Sequence, residues 1–341
     1  MKGEVQTVPS SPARPARRPL AWGDLWADLH AIRVSLLILA ALLLFNALLT
    51  PNFLSVQTLN VNLTQVATTV IVAMGMTLVI ATGGVDLSVG SLMAISGVLA
   101  PLLFLNPAFA GAPALGVALA FVLPVLAAGA FGLLNGVFVT RLRLQPIVAT
   151  LVLYIAGRGI AQVITNGQLQ SFTRPDFSYI GLGRPLGIPF QVLLMLVIVA
   201  VTYWAVRRTV FGRYVLAVGG NEQAARLAGI PVARVKLAVY SLSGLLAGVA
   251  GLIVIAINSS SDANQVGLNM ELDAIAAVAV GGTLLSGGRA QVLGTVAGAL
   301  IIQLIRYTLL ARGVPDAAAL MVKAAIIVAA VALLQRRGGR S

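Results

Sequence analysis

The sequence contains no cysteine and a single histidine, His30, among its 341 residues. The lack of cysteine excludes disulfide bonds, iron–sulfur clusters and thiolate metal sites. His30 precedes the first apolar stretch and has no second histidine with which to share a metal ion. We therefore expect no metal site, and the serine–histidine pair of a hydrolase is also excluded.

Charged side chains are scarce as well. They make up 10% of the chain, whereas a soluble domain carries roughly 25%. Hydrophobic residues make up 59%, and the mean hydropathy is +0.97. Because so few charges cannot cover a surface exposed to water, lipid must be the solvent of this chain. The composition predicts an all-α, polytopic integral membrane protein.

A phosphate-binding loop of the form GxxxxGK(S/T) is also absent, since none of the lysines Lys2, Lys236 and Lys323 follows such a glycine pattern. The chain therefore cannot hydrolyse ATP in the manner of P-loop proteins. We expect no catalytic residue and no cofactor in this chain. If ATP drives its function, ATP and Mg²⁺ are bound by a partner subunit.

Ten apolar stretches approach the roughly 20 residues that a membrane-spanning helix needs. They cover residues 32–50, 63–82, 87–105, 114–140, 146–165, 188–206, 237–257, 271–286, 290–311 and 317–335. The eighth is short, which makes it a candidate for a re-entrant segment. We expect about ten transmembrane or re-entrant helices in a single domain over residues 31–340, after a disordered basic tail with a short amphipathic helix over residues 1–30.

Basic residues outnumber acidic ones by 23 to 10, which gives a formal net charge of +13. Because these residues lie mostly at the ends of apolar stretches, they predict membrane topology and not a nucleic-acid partner. The positive-inside rule places the tail, Arg141 with Arg143, residues 207–236 and the final arginines on the cytoplasmic face. Both termini are therefore predicted to be cytoplasmic.

The stretch GMTLVIATGGVDLSVGSLMAISG, residues 75–97, joins two apolar segments through a glycine-rich break that carries a lone acid, Asp86. Backbone that leaves the helix at membrane depth must be buried in protein or line a wet cavity, and a carboxylate there indicates a functional site. The alternative is a plain cytoplasmic turn in which Asp86 caps the next helix. Spacing alone leaves both interpretations open.

GGTLLSGG at residues 281–288 repeats GGVDLSVG at residues 83–90, with five of eight positions identical and Gly83 matched to Gly281. Interrupted segments in two related halves are typical of the central site of a transporter. Asp86 is expected either to cap a helix or to form an ion pair with Arg158, which lies in the middle of a span. Arg158 itself is expected either to form a structural ion pair or to line the translocation path. The predicted translocation path or gate comprises Gly83, Gly84, Asp86, Ser88, Gly90, Arg158, Gly281, Gly282, Ser286 and Gly287.

Residues 207–236 form the main cytoplasmic loop. Asn221 can cap a short helix that runs to Leu227, and Gly229 can end it before Pro231. Such a short helix is not stable alone and needs a surface on which to dock, either lipid headgroups or a cytoplasmic partner. GxxxG pairs at residues 132–136, 244–248 and 294–298 permit close helix packing, within one chain or between two copies.

Four motifs, in this order, carry a resemblance to a known family: GMTLVIATGGVDLSVGSLMAISG, QPIVATLVLYIAGRG, GRYVLAVGGNEQAARLAGI and ELDAIAAVAVGGTLLSGGR. Over residues 35–335 the chain resembles the inner-membrane permease subunits of bacterial ABC sugar importers of the ribose, xylose and galactose type. The stretch SSSDANQVGLNMELDAI is most similar to the galactofuranose permeases of that family.

The resemblance implies a permease that carries a monosaccharide, galactofuranose or a ribose-like sugar, and that holds it only weakly. It also implies three partners: a cytoplasmic ATP-binding subunit, a periplasmic sugar-binding protein and a second permease copy or paralogue. The element that couples to the ATP-binding subunit would comprise Gly220, Asn221, Glu222, Ala225, Arg226 and Gly229. Two alternatives remain, an ABC permease for another solute such as branched-chain amino acids, and an ion-coupled secondary sugar carrier.

Overall fold

The computed structural model of the chain describes residues 32–315, together with residues 318, 319, 321, 322, 324 and 325. The predicted tail over residues 1–30 and most of the predicted segment 317–335 lie outside the described residues. In the described part the helices are α1 Arg33–Leu49, α2 Val56–Ala81, α3 Val89–Phe104, α4 Pro113–Thr140, α5 Pro146–Thr165, α6 Pro175–Leu182, α7 Phe190–Arg208, α8 Val210–Gly220, α9 Glu222–Leu227, α10 Val232–Asn258, α11 Met270–Val280 and α12 Val292–Ala311.

The all-α prediction is confirmed. The strands of the described residues are two residues long: β1 Gln170–Ser171 pairs antiparallel with β2 Ser260–Ser261. Six of the described helices are long and apolar enough to cross a membrane, namely α2, α4, α5, α7, α10 and α12. Three shorter helices, α1, α3 and α8, are also apolar. The count of about ten spans is thus not confirmed.

Helix ends differ from the predicted segments where local capping chemistry outweighs hydropathy. α2 begins at Val56, seven residues before the predicted segment, because the hydroxyl oxygen of Ser55 accepts a hydrogen bond from the amide of Thr58 at 3.2 Å. The short eighth segment is shorter still, since α11 ends at Val280. α6 and α8 form where the sequence predicted loops.

The core of the bundle is the packing of α10 along α4, with α3 against both and α2 against α10. The two helices approach closely at Gly132 and Gly244, because a Cβ on Gly132 would overlap the carbonyl oxygen of Tyr240 and would lie 3.1 Å from the Cα of Gly244. Gly294 packs in the same way on Gly281. All three GxxxG pairs therefore serve packing within this chain.

Candidate functional site

The two glycine breaks meet each other and the end of α8. The amide of Gly288 donates a hydrogen bond to the carbonyl oxygen of Ala81 at 3.0 Å. A Cβ on Gly287 would lie 2.8 Å from the Gly83 nitrogen, and one on Gly219 would lie 2.6 Å from the Gly288 nitrogen. These five residues, Ala81, Gly83, Gly219, Gly287 and Gly288, form what we call the glycine junction, in which backbone touches backbone with no side chain between.

The register of the internal repeat differs from the sequence match by one residue. Backbone amides of Gly83 and Gly282 donate to the carbonyls of Ile80 and Ala279, each three residues back, and both glycines have positive φ, +79° and +87°. The helix ends therefore pair Gly83 with Gly282, whereas the sequence match paired it with Gly281. The sequence match chose the wrong register because Gly281 and Gly282 are both glycine. Gly281 lies one residue earlier, at the end of α11, where it packs on Gly294.

Gly90 and Gly288 are matched in sequence but lie in different surroundings. Gly288 belongs to the glycine junction, whereas Gly90 lies in α3, where a Cβ would overlap the carbonyl oxygen of Gly267 and approach the Glu271 carboxylate to 2.6 Å. Gly90 thus allows a loop to pack on α3. Ser286 is exposed, and its carbonyl oxygen lies 3.7 Å from the Cβ position of Gly83.

Asp86 is fully buried and is held by hydroxyl and amide groups. Its Oδ1 accepts hydrogen bonds from the amide and hydroxyl of Ser88, at 3.0 and 2.6 Å, and its Oδ2 accepts one from the hydroxyl of Ser243 in α10 at 2.8 Å. Asn135 in α4 donates to the Ser88 hydroxyl at 2.8 Å. Asp86 therefore fixes the start of α3 and ties the first break to α4 and α10.

The hydroxyl of Tyr240 lies beside this cluster. A Cβ on Gly84 would come within 2.5 Å of that oxygen, so the absence of a side chain at Gly84 makes room for the tyrosine. Among the residues that the structure describes, neither the Tyr240 hydroxyl nor the Asn135 carbonyl oxygen has a hydrogen-bond partner. Both groups come from helices that sequence reasoning did not connect with the break.

Arg158 is not the partner of Asp86. One nitrogen of its guanidinium, Nη1, donates to the carbonyl oxygens of Ala263 at 2.7 Å and Val266 at 2.6 Å, and Nη2 donates to that of Gly90 at 3.4 Å. Arg158 therefore joins α5 to α3 and to the loop before α11. The Asp86–Arg158 pair is not formed. Ser88, and not Asp86, is the N-cap residue of α3, and Asp86 accepts hydrogen bonds from the amide and hydroxyl of Ser88.

The predicted cytoplasmic helix is present as α9. The side-chain oxygen of Asn221 accepts a hydrogen bond from the amide of Ala224 at 2.9 Å, and Gly229 has a φ of +77° just beyond the helix. Ala225 is buried, whereas Leu227 is 91% exposed. The helix thus docks through one face and presents a large apolar side chain on the other.

The salt bridge of Glu222 with Lys236 anchors α9 to the start of α10. Nζ of Lys236 donates to Glu222 Oε2 at 2.6 Å, and Arg226 donates to Oε1 at 3.0 Å. The hydrogen bond from Lys236 is the main cause of a lowered pKa for Glu222. Sequence reasoning had not named Lys236 as a site residue, because the two residues lie fourteen positions apart on different helices.

A groove of about 1020 Å³ runs beside α9. It lies between the α4–α5 connection, α9 and the start of α10. Its charged and polar lining includes Arg143, Gln145, Glu222, Arg226, Arg234 and Lys236. We call the end of the bundle that carries this groove the basic face, and the opposite end the far face.

A second cavity, of about 460 Å³, lies toward the far face between α2, α10, α11 and α12. Its polar lining includes Gln65, Thr69, Asn258, Asp273, Gln303 and Arg306. Nε2 of Gln303 donates to Oε1 of Gln65 at 2.6 Å across the α2–α12 interface. Sequence reasoning missed this site, although glutamines inside apolar segments are the signal that points to it.

Within the described part of the chain, no group of three or more His, Asp or Glu side chains is placed to hold a metal ion.

Comparison with known proteins places the chain in a family. Residues 59–331 match the family of permease components of the branched-chain amino acid transport system. The chain is 42% identical over 305 residues to the ribose import permease protein of Escherichia coli, which covers 87% of this chain and 91% of the relative. It is also 42% identical over 281 residues to the galactofuranose transporter permease protein of Escherichia coli, with 81% and 79% coverage.

A third relative covers almost the full length: the chain is 35% identical over 331 residues to the L-arabinose ABC transporter permease protein of Azospirillum brasilense, with 96% and 94% coverage. No solved structure matches the chain significantly. The family match, the identity to these relatives and the predicted resemblance agree. This chain is a multi-pass membrane protein that belongs to the family of permease components typified by branched-chain amino acid transport systems.

Proposed function

We propose that this chain is the membrane-spanning subunit of an ATP-driven importer that carries a monosaccharide across the bacterial inner membrane. The support for a sugar is the set of relatives, whose names assign them to ribose, galactofuranose and L-arabinose. Ribose and galactofuranose permeases are equally identical to this chain, so the proposal is for the monosaccharide class. The family description includes branched-chain amino acids, which makes an amino acid the alternative substrate.

The observation that carries the proposal is the glycine junction. The end of α8, which leads into α9, packs backbone to backbone on both breaks of the membrane-spanning segments. Force applied to α9 from outside the bilayer would therefore reach both breaks through one rigid contact. This arrangement suits a transporter that is driven by a partner on the basic face.

The surroundings of Asp86 argue against an ion-coupled carrier. Such a carrier needs a carboxylate that exchanges protons or binds an ion during the cycle. Asp86 is completely buried, and its hydrogen-bond partners, Ser88 and Ser243, do not titrate. We assign Asp86 to the fixed framework of the first break and the motion to the glycines.

The proposal assigns one partner to each face of the bundle. The ATP-binding subunit, which holds ATP and Mg²⁺, would dock at the basic-face groove on Gly220, Asn221, Glu222, Ala225, Arg226 and Gly229. That face would be cytoplasmic, as would both termini. A periplasmic sugar-binding protein would deliver sugar at the far face, and a second permease copy or paralogue would complete the transporter.

Uptake by proteoliposomes tests the proposal. Vesicles holding this chain with its ATP-binding subunit and sugar-binding protein are supplied with labelled D-ribose, L-arabinose, D-galactofuranose or L-leucine. We expect uptake of one sugar that requires ATP and the ATP-binding subunit. Uptake by this chain alone under a proton gradient would support the carrier instead, and uptake of leucine alone would support the amino acid permease.

A further inference from the structure

The cavity toward the far face has the size and chemistry of a small-molecule site. Its volume of about 460 Å³ lies within the range of roughly 300–1,000 Å³ that is usual for ligand pockets. Four helices contribute polar groups to it, among them Gln65 from α2, Asn258 from α10, Asp273 from α11 and Gln303 from α12. A site assembled from four helices is sensitive to their relative movement.

The polar groups of the lining match the hydroxyl groups of a sugar. Side-chain amides both donate and accept hydrogen bonds, and hydroxyls do the same, so these groups can bind an alcohol in either direction. Val254, Ile257 and Ile302 form an apolar part of the wall. A monosaccharide likewise combines polar hydroxyl groups around its ring with apolar C–H groups on the faces of the ring.

The hydrogen bond from Gln303 to Gln65 occupies the position where such a ligand would bind. Gln303 donates to Gln65 at 2.6 Å and to the side-chain oxygen of Asn62 at 3.2 Å. These hydrogen bonds join the side chains of α2 and α12 at the cavity wall. Because α2 leads into the first break and α12 follows the second, a ligand that inserts between Gln65 and Gln303 contacts both helices that flank the breaks.

The cavity ends before the glycine junction. Between them, α2 is buried from Val70 to Ala81, and the hydroxyls of Thr77 and Thr295 are hydrogen-bonded at 2.9 Å. A solute that enters from the far face therefore stops at the level of Gln65 and Thr69. The cavity is therefore a dead end that opens toward the far face and is separated from the glycine junction by packed side chains.

We propose that this cavity is a monosaccharide-binding site of the permease itself, in which sugar hydroxyls replace the hydrogen bond between Gln303 and Gln65. The proposal rests on the proposed function, and it differs from the expectation that the permease holds sugar only weakly. The permease then selects the sugar a second time, after the soluble binding protein has released it.

The absence of native cysteine allows a direct test. Thr69→Cys places one thiol inside the cavity, and Gln162→Cys places one on the same face outside it, where Gln162 pairs with the exposed Asn264. Each variant, in vesicles with its partner subunits, is treated with a methanethiosulfonate reagent. The added sugar is whichever of D-ribose, L-arabinose and D-galactofuranose the wild-type transporter imports.

We expect the imported sugar to slow modification of Thr69→Cys and to leave Gln162→Cys unchanged. Adding Gln65→Leu or Gln303→Leu should raise the sugar concentration needed for protection by about threefold to tenfold, the equivalent of one hydrogen bond. Unchanged labelling without sugar shows that these variants are folded, and Val254→Cys, in the apolar part of the wall, provides a second thiol in the cavity.

The outcomes separate the two proposals. A sugar that is imported but protects neither Thr69→Cys nor Val254→Cys overturns the binding site and leaves the importer intact. Protection by L-leucine without protection by the sugar overturns it as well. Absence of uptake for every sugar overturns the proposed function itself.

Discussion

The amide of Gly288 donates a hydrogen bond to the carbonyl oxygen of Ala81 at 3.0 Å, so the second break is bonded directly to the end of the helix before the first. Gly219 fills the space beside this bond. Interiors packed this closely transmit displacement because there is no free volume to absorb it.

Gly219→Ala should disrupt coupling between α9 and the breaks. Its Cβ would overlap the Ala81 carbonyl oxygen, and both neighbours are backbone, which cannot rotate away. Overpacking of this kind costs about 1–3 kcal/mol of folding free energy. We expect a lower midpoint of thermal unfolding and lost ATP-driven uptake. The control is Gly159→Ala in α5, where a Cβ meets nothing within 4 Å; equal effects of the two variants would contradict the prediction.

Asp86→Ala should destabilise the fold far more than Asp86→Asn. Alanine leaves the hydroxyls of Ser88 and Ser243 without their buried acceptor, at a cost of about 2–4 kcal/mol. Asparagine keeps one acceptor oxygen, and the Ser243 hydroxyl can rotate to accept from the new amide. Thermal unfolding in detergent measures both variants. If Asp86→Asn expresses normally but abolishes uptake, the charge itself takes part in transport and our assignment fails.

The charge pair of α9 predicts a specific rescue. Glu222→Lys places two positive charges at the site of the 2.6 Å salt bridge with Lys236. Uptake should fall in this variant and recover in Glu222→Lys with Lys236→Glu, which restores the pair in reverse. Pairing Glu222→Lys with Arg226→Glu should not rescue, because the repulsion with Lys236 remains. Recovery of uptake in the double variant Glu222→Lys with Arg226→Glu would show that the exposed pair within α9, and not Lys236, holds the helix in place.

The same pair predicts a pH dependence of α9 docking. The hydrogen bond from Lys236 lowers the pKa of Glu222 below its ordinary value of 4.5. A lowered carboxyl pKa stabilises the folded state above the ordinary value, and that contribution is lost as the pH falls through the folded-state pKa. Because Glu222 is partly exposed, the contribution is below about 1 kcal/mol. The protection factor of the α9 amides, which is the exchange rate corrected for the intrinsic effect of pH, should therefore be steady from neutral pH to 4.5 and fall below it, and Lys236→Met should weaken this fall.

Arg158 should act as a clamp on the loop before α11. Arg158→Met removes the donor to the carbonyls of Ala263 and Val266, and Arg158→Lys replaces two short hydrogen bonds with a single flexible ammonium group. We expect faster hydrogen exchange over residues 262–268 in both, with the larger change in Arg158→Met. Unchanged exchange in this loop, with lost uptake, would instead assign Arg158 to the translocation path.

Much of the local structure is predictable from the sequence because it depends on neighbouring residues. The cap of α9 needs only Asn221 and an amide three residues later, and its end needs only Gly229. The break at Gly83 is likewise visible as a glycine pair between apolar runs. The register of the repeat was not predictable from the sequence, since the choice between Gly281 and Gly282 depends on which carbonyl oxygen accepts the last hydrogen bond of the helix.

The sequence by itself determined the class of this protein. It shows too few charged residues for a surface in water, apolar stretches of membrane length, no phosphate-binding loop and a capped short helix between apolar segments. These properties follow from composition and short-range spacing. Only the tertiary structure decided which distant groups meet, such as Asp86 with Ser243, 157 residues apart, and Gln65 with Gln303, 238 residues apart. The reason is physical: helix crossing is set by the combined packing of many small side chains, so a partner that distant is chosen by the whole bundle and not by any local pattern.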